Sequence, residues 1–214
     1  MSRRHVLLWS RTDSVILTFV LAVFLALQAL HGLFLVVWGL GFVRADSRAG
    51  LDLLTRPLPS EASTSVTGVV PHGNVTIEGV ERMVLVFHDP SVGERLLLVA
   101  PALLTTLAIG LVAYLLLRML PSLREGDPFS AANVRRAYTV ALTVITGSLL
   151  VPACAGVTGA VLESRALGTD PSLTFTFGLE GGTVPLVLVG LILAALAEIF
   201  RRGARLRHDV EGLV

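Results

Sequence analysis

The sequence predicts an all-α membrane protein, with four transmembrane helices in a bundle and a small extracytoplasmic β-sheet cap. Three observations carry that expectation. Of the 214 residues, 53% are hydrophobic and only 15% are charged, against roughly a quarter charged in soluble domains, and the mean hydropathy is +0.77. The 17 basic and 16 acidic residues are also unevenly spread, and none falls within 14–43, 96–117, 137–162 or 181–197. Each window reaches the roughly 17 residues that a membrane span needs. Finally, the segments after the first and third windows carry strand-like patterns. The remainder leaves no room for a separate soluble domain of ordinary size. A net charge of +1 with no basic tract gives no footprint on a phosphate backbone, which excludes nucleic acid as a direct partner.

Residues 1–13 form a cytoplasmic N-terminus carrying Arg3, Arg4 and Arg11. Residues 14–43 are the first transmembrane helix, about 45 Å long at roughly 1.5 Å per residue, so it must tilt or project beyond a core of about 30 Å. A signal peptide is the rival reading. The apolar run is about twice a normal h-region, and Val43-Arg44-Ala45 is a poor cleavage site, so the segment reads as an anchor.

Residues 44–95 are a strand-rich extracytoplasmic connection. Segments 63–70, 74–78 and 82–88 read as strands, separated by Pro71-His72-Gly73 and Gly79. Asp89-Pro90-Ser91 reads as a turn and a helix N-cap, so the second helix begins ahead of its apolar window. That window, 96–117, is the second transmembrane helix, and 118–136 is a cytoplasmic connection. Residues 137–162 are the third span.

The next connection, 163–180, is extracytoplasmic and contains Leu173-Thr174-Phe175-Thr176-Phe177, a period-two alternation. An exposed lone strand is a liability, so it is expected to join the other three in an antiparallel sheet over the outer end of the bundle. Residues 181–200 are the fourth span and 201–214 a basic cytoplasmic tail.

Orientation follows from arginine, since cytoplasmic connections retain Lys and Arg. Arg118, Arg124, Arg135 and Arg136 mark the middle connection, and Arg201, Arg202, Arg205 and Arg207 mark the tail, while 163–180 holds only Arg165. Both termini are therefore expected in the cytoplasm. Small residues four apart, Ala155 with Gly159, Gly156 with Ala160 and Gly190 with Ala194, permit close helix approach in lipid. They suit intramolecular packing, with a homo-oligomer face as the alternative. Pro101, Pro152 and Pro185 interrupt three spans.

Few residues offer chemistry. Gln28 and His31 share one face of the first span, and an intramembrane His raises a functional hypothesis. The plainer reading is an interhelical hydrogen bond to Thr143, Thr146 or Ser148, or a His near the outer interface that reaches water. Glu198 precedes Arg202 and Arg205 at i+4 and i+7, the favourable order for ion pairs, while Arg201 and Arg207 are expected to point elsewhere, toward lipid headgroups. His72 and His88 without a carboxylate or Cys at ligand spacing are a weak metal signal. Cys154 is the single cysteine, so no disulfide can form within the chain. There is no nucleophile motif, HExxH, phosphate loop or carboxylate pair within a span. The expectation is no catalytic residue, no cofactor, no metal and no enzyme activity.

Two segments carry a resemblance. Leu123-Arg124-Glu125-Gly126-Asp127-Pro128-Phe129-Ser130 runs on through Asn133-Val134-Arg135-Arg136, and Ala197-Glu198-Ile199-Phe200-Arg201-Arg202-Gly203-Ala204-Arg205 leads into the tail. The chain resembles the bacterial membrane family catalogued as domain of unknown function 2975. The resemblance implies four spans, residence in the bacterial cytoplasmic (inner) membrane and no established enzyme activity. Through the genes that neighbour those of the family, it also implies a small helix-turn-helix transcription factor as partner.

Physically, Gly126 allows a tight turn, Pro128 fixes φ, and Ser130 caps a helix from Ala131. Gly126, Asp127, Pro128, Phe129, Asn133 and Arg135 are expected to join Glu198, Arg201, Arg202 and Arg205 as a docking face. Asp127 or Glu125 would meet Arg201 or Arg205 there. The expected function is a non-enzymatic regulatory or scaffold protein. A small transport or self-protection protein acting on a lipid or hydrophobic peptide is the alternative.

Overall fold

A computed structural model describes residues 11–43, 55–65, 78–87, 90–124, 130–167, 173, 175 and 182–211. In order, its elements are α1 (Arg11–Gly39), β1 (Thr55–Ser65), β2 (Glu78–Val86), α2 (Val92–Arg124), α3 (Ala131–Leu167) and α4 (Thr183–Glu211). All four helices are long and apolar enough to cross a membrane, over Ser14–Gly39, Val92–Ser122, Ala131–Arg165 and Thr183–Arg205. Their outward surfaces are apolar too, with Phe19, Leu30, Leu142 and Ile199 among the most exposed side chains. A soluble protein would not present such surfaces on every helix. The chain is a multi-pass membrane protein.

Each helix end has a local chemical cause. At the head of α2, Ser91 and Glu94 form a capping box. The Glu94 carboxylate accepts the Ser91 N–H at 2.8 Å, and Ser91 Oγ accepts the Glu94 N–H at 3.4 Å. At the head of α3, Ser130 Oγ accepts the Asn133 N–H at 3.4 Å. At its C-terminus α1 ends in a Schellman motif on Gly41, whose φ of +84° suits glycine. Gly41 N–H donates to Trp38 O and Phe42 N–H to Val37 O. Within the spans, the hydroxyls of Thr105, Thr106, Thr143 and Thr146 donate to carbonyls four residues back, which keeps these groups satisfied without water.

The chain divides into two compact units. One comprises Met1–Val36, Ala100–Ala155 and Phe175–Val214, the other Val37–Val99 and Gly156–Thr174. In the first, small residues set the helix contacts. A Cβ on Gly32 would stand 3.5 Å from Thr106 Cγ2, and one on Gly147 3.5 Å from the Ala108 Cβ. Gly190 is tighter. A Cβ there would run into the Ile145 side chain, 3.2 Å from the Ile145 nitrogen and 3.4 Å from Ala141 O, so α3 and α4 meet backbone against side chain.

In the second unit Gly39 packs against Val99 and Leu96. Arg95 lies over the Trp38 ring, 5.4 Å from its centroid, and donates to Val43 O at 3.1 Å.

The expected β-sheet cap is overturned, and the fold is four long apolar helices. The β structure among the described residues is a two-stranded antiparallel ribbon with Thr55 opposite Val86 and Ser65 opposite Glu78. Two strands keep two open edges and do not make a covering sheet. β1 also starts earlier than the expected strand 63–70, taking in Arg56-Pro57-Leu58-Pro59. Its register shifts between Pro57 and Glu61, where proline offers no N–H to the ladder. Leu173 and Phe175 lie outside any strand and are exposed. Residues 66–70 and 74–77 of the expected strands, with His72 and His88, lie outside the described residues.

Candidate functional site

The beginning of α3 gathers polar groups on two sides. Toward α2, Asn133 is 2% exposed. Its Nδ2 donates to Ser122 Oγ at 2.5 Å, and its Oδ1 accepts Arg136 Nη1 at 3.0 Å. Arg136 Nη1 also reaches Arg118 O at 2.7 Å, which ties the start of α3 to the last two turns of α2. Asn133 is thus a clamp holding the end of α2 to the start of α3.

Toward α4, Tyr138 OH donates to Glu198 Oε2 at 2.6 Å. The same carboxylate receives Arg201 through both oxygens, Nε to Oε2 at 2.6 Å and Nη2 to Oε1 at 2.7 Å, and Arg202 Nε at 3.0 Å. The fork of Arg201 matches the planar carboxylate. Tyr138, Glu198, Arg201 and Arg202 therefore form one fixed constellation across two helices.

This geometry revises parts of the sequence reading. Arg201, expected to point away, makes the closest pair with Glu198, while the expected Arg202 pair is also present with its side chain 76% exposed. Asn133 lies inside the helix contact. Arg135 and Arg205 are exposed at the surface. Gly126, Asp127, Pro128 and Phe129 lie outside the described residues, as does Glu125, so the expected contact with Arg201 or Arg205 does too. Tyr138 was missed, although an aromatic hydroxyl near a span's end is a common interfacial signal.

On α1, Gln28 is half-buried and His31 exposed. The hydroxyls proposed for them donate within α3 instead, Thr143 to Thr139 O, Thr146 to Leu142 O and Ser148 to Ile145 O.

A second feature of the first unit is an apolar cavity of about 510 Å³ reached by all four helices. α1 contributes Leu21 and Phe24, and α4 contributes Thr183 and Leu186. α2 lines it with a face running from Thr105 to Leu116 and α3 with one from Thr143 to Pro152, both at helical three-and-four spacing. Ala108, Ala113 and Gly147 sit on these faces, and their short side chains leave the space open. Its volume lies within the range of small-molecule sites, roughly 300–1,000 Å³. No single segment carries a signature for it.

No curated protein and no solved structure matches the chain. A family model does match, over residues 69–213, a stretch that takes in α2, α3 and α4 and both segments on which the resemblance rested. The chain belongs to that family, described as protein of unknown function (DUF2975).

Proposed function

We propose that the chain is a non-enzymatic regulatory or scaffold protein of the bacterial cytoplasmic membrane, docking a small helix-turn-helix protein on the face that carries Arg135 and the end of α4. The observation that supports this is the Tyr138–Glu198–Arg201–Arg202 constellation. It holds two helix ends in a fixed relation beside exposed Arg135 and Arg205. A preorganised basic face suits recognition, because ordered charges lose less freedom on binding. Under the positive-inside tendency that face is cytoplasmic, and both termini lie with it.

The test is affinity purification of the tagged chain from mild-detergent extracts of its host, beside a variant carrying Arg201→Gln, Arg202→Gln and Arg205→Gln. Recovery of a helix-turn-helix protein with the wild type and its loss with the variant is the expected result. Equal recovery with both, or none with either, removes the docking reading.

A second reading, a small transport or self-protection protein acting on a lipid or hydrophobic peptide, is favoured by the cavity at span depth. Reconstituted liposomes loaded with labelled lipid would then show protein-dependent exchange between leaflets.

A further inference from the structure

We propose that the cavity among the four helices holds a single acyl chain of a membrane phospholipid. The proposal deepens the second reading by naming the occupant, and it rests on the cavity alone, with no requirement for transport.

The lining selects an apolar occupant. Of its hydroxyls, Thr105 donates to Pro101 O at 2.9 Å, Thr143 to Thr139 O at 2.7 Å and Ser148 to Ile145 O at 2.8 Å. Those protons are therefore already committed within their own helices. A buried water needs two to four polar partners, and this wall offers few.

The opening selects the source. Phe24, Ile109, Leu116 and Leu186 border the cavity and are between 40% and 49% exposed, so it communicates with the outer surface of the spans. At that depth the surface is covered by lipid chains. An occupant entering sideways comes from the bilayer itself.

Size agrees with a single chain. The α2 lining from Thr105 to Leu116 rises about 16 Å. If a methylene takes roughly a water's share of volume, about 30 Å³, the 510 Å³ cavity holds on the order of 17 carbons. A folded peptide segment would need its backbone bonded, which this wall cannot do.

One polar group breaks the pattern. Thr183 lines the cavity and is 6% exposed, and as the first residue of α4 it has no carbonyl of its own helix behind it to take the hydroxyl proton. Its hydroxyl marks the end where the ester carbonyl of the chain is received.

The experiment uses the full chain in nanodiscs containing a phosphatidylglycerol with a diazirine in its acyl chain, followed by photolysis and peptide mapping. A parallel arm uses diazirine-bearing hexadecanoic acid. The phospholipid is expected to label Val112, Val144 and Val151, and excess unlabelled phospholipid to compete it away. The double variant Val112→Phe and Val144→Phe, which fills the space, is expected to lower that labelling at least tenfold. Leu107→Phe, on the exposed face of α2, leaves it unchanged. Thr183→Val lowers it roughly threefold, the worth of a weak hydrogen bond.

Labelling confined to outward residues such as Leu107 and Leu142 overturns the proposal. So does inward labelling by the free acid alone. The wild-type map decides the matter even if the filled variant does not fold. Failure of leaflet exchange with inward labelling intact removes transport and leaves the acyl chain in place.

Discussion

The two polar clusters at the start of α3 are a few residues apart, yet they do different work. Asn133 faces α2, is buried, and completes its amide with Ser122 and Arg136. Tyr138 faces α4 and reaches a partly exposed carboxylate already held by two arginines. In the first cluster a lost partner leaves the buried Asn133 amide short of a bond, whereas in the second water can replace it. Burial decides which cluster sets stability and which one sets the surface.

The strongest way to break this comparison is Gly190→Leu, since the α3–α4 approach that brings Tyr138 to Glu198 depends on having no side chain against Ile145 and Ala141. Overpacking against backbone should cost about 3 kcal/mol and abolish the exposed cluster with it. A melting curve in detergent, with gel filtration for the folded fraction, checks this. Next comes Asn133→Leu, which keeps the branched shape but removes the amide that links Ser122 to Arg136, with an expected loss of about 1.5 kcal/mol by thermal unfolding.

Tyr138→Phe should lower the melting temperature less than Asn133→Leu does. Its effect should shrink in about 1 M salt, where the Debye length is roughly 3 Å, while the Asn133 penalty persists. The smallest effect is expected from Arg202→Gln, whose pair is mostly exposed. No measurable change in melting temperature should follow, and a large one would mean that the two clusters are not so different.

The helices were legible because charge is excluded from lipid, and Ser91 and Ser130 were legible as caps because their chemistry is local. The ribbon was misread for a different reason. Alternation marks residues that could form a strand, but not the partner strand, and Leu173 and Phe175 lie outside any strand. Arg201 was misassigned because a helical wheel places Cα atoms and ignores reach. An arginine three residues on can fold back onto Glu198 as well as one four residues on. The cavity was not readable at all, since it is a shape that four separated segments make together by the small residues they place on facing stripes.

The spans differ in length, and the difference fixes how the protein meets a bilayer. Those of α2 and α3 run to 31 and 35 residues, about 46 and 52 Å at the helical rise, well beyond a hydrocarbon core of about 30 Å. The span of α4 has 23 residues, and only the part before Glu198, residues 183–197, is uncharged, about 23 Å. The long helices have surplus apolar length, so thickening the membrane leaves them covered. The short one has none, and hydrophobic mismatch falls first on α4, the helix that carries Glu198, Arg201 and Arg202. Bilayer thickness thus acts directly on the height at which that basic end stands above the membrane.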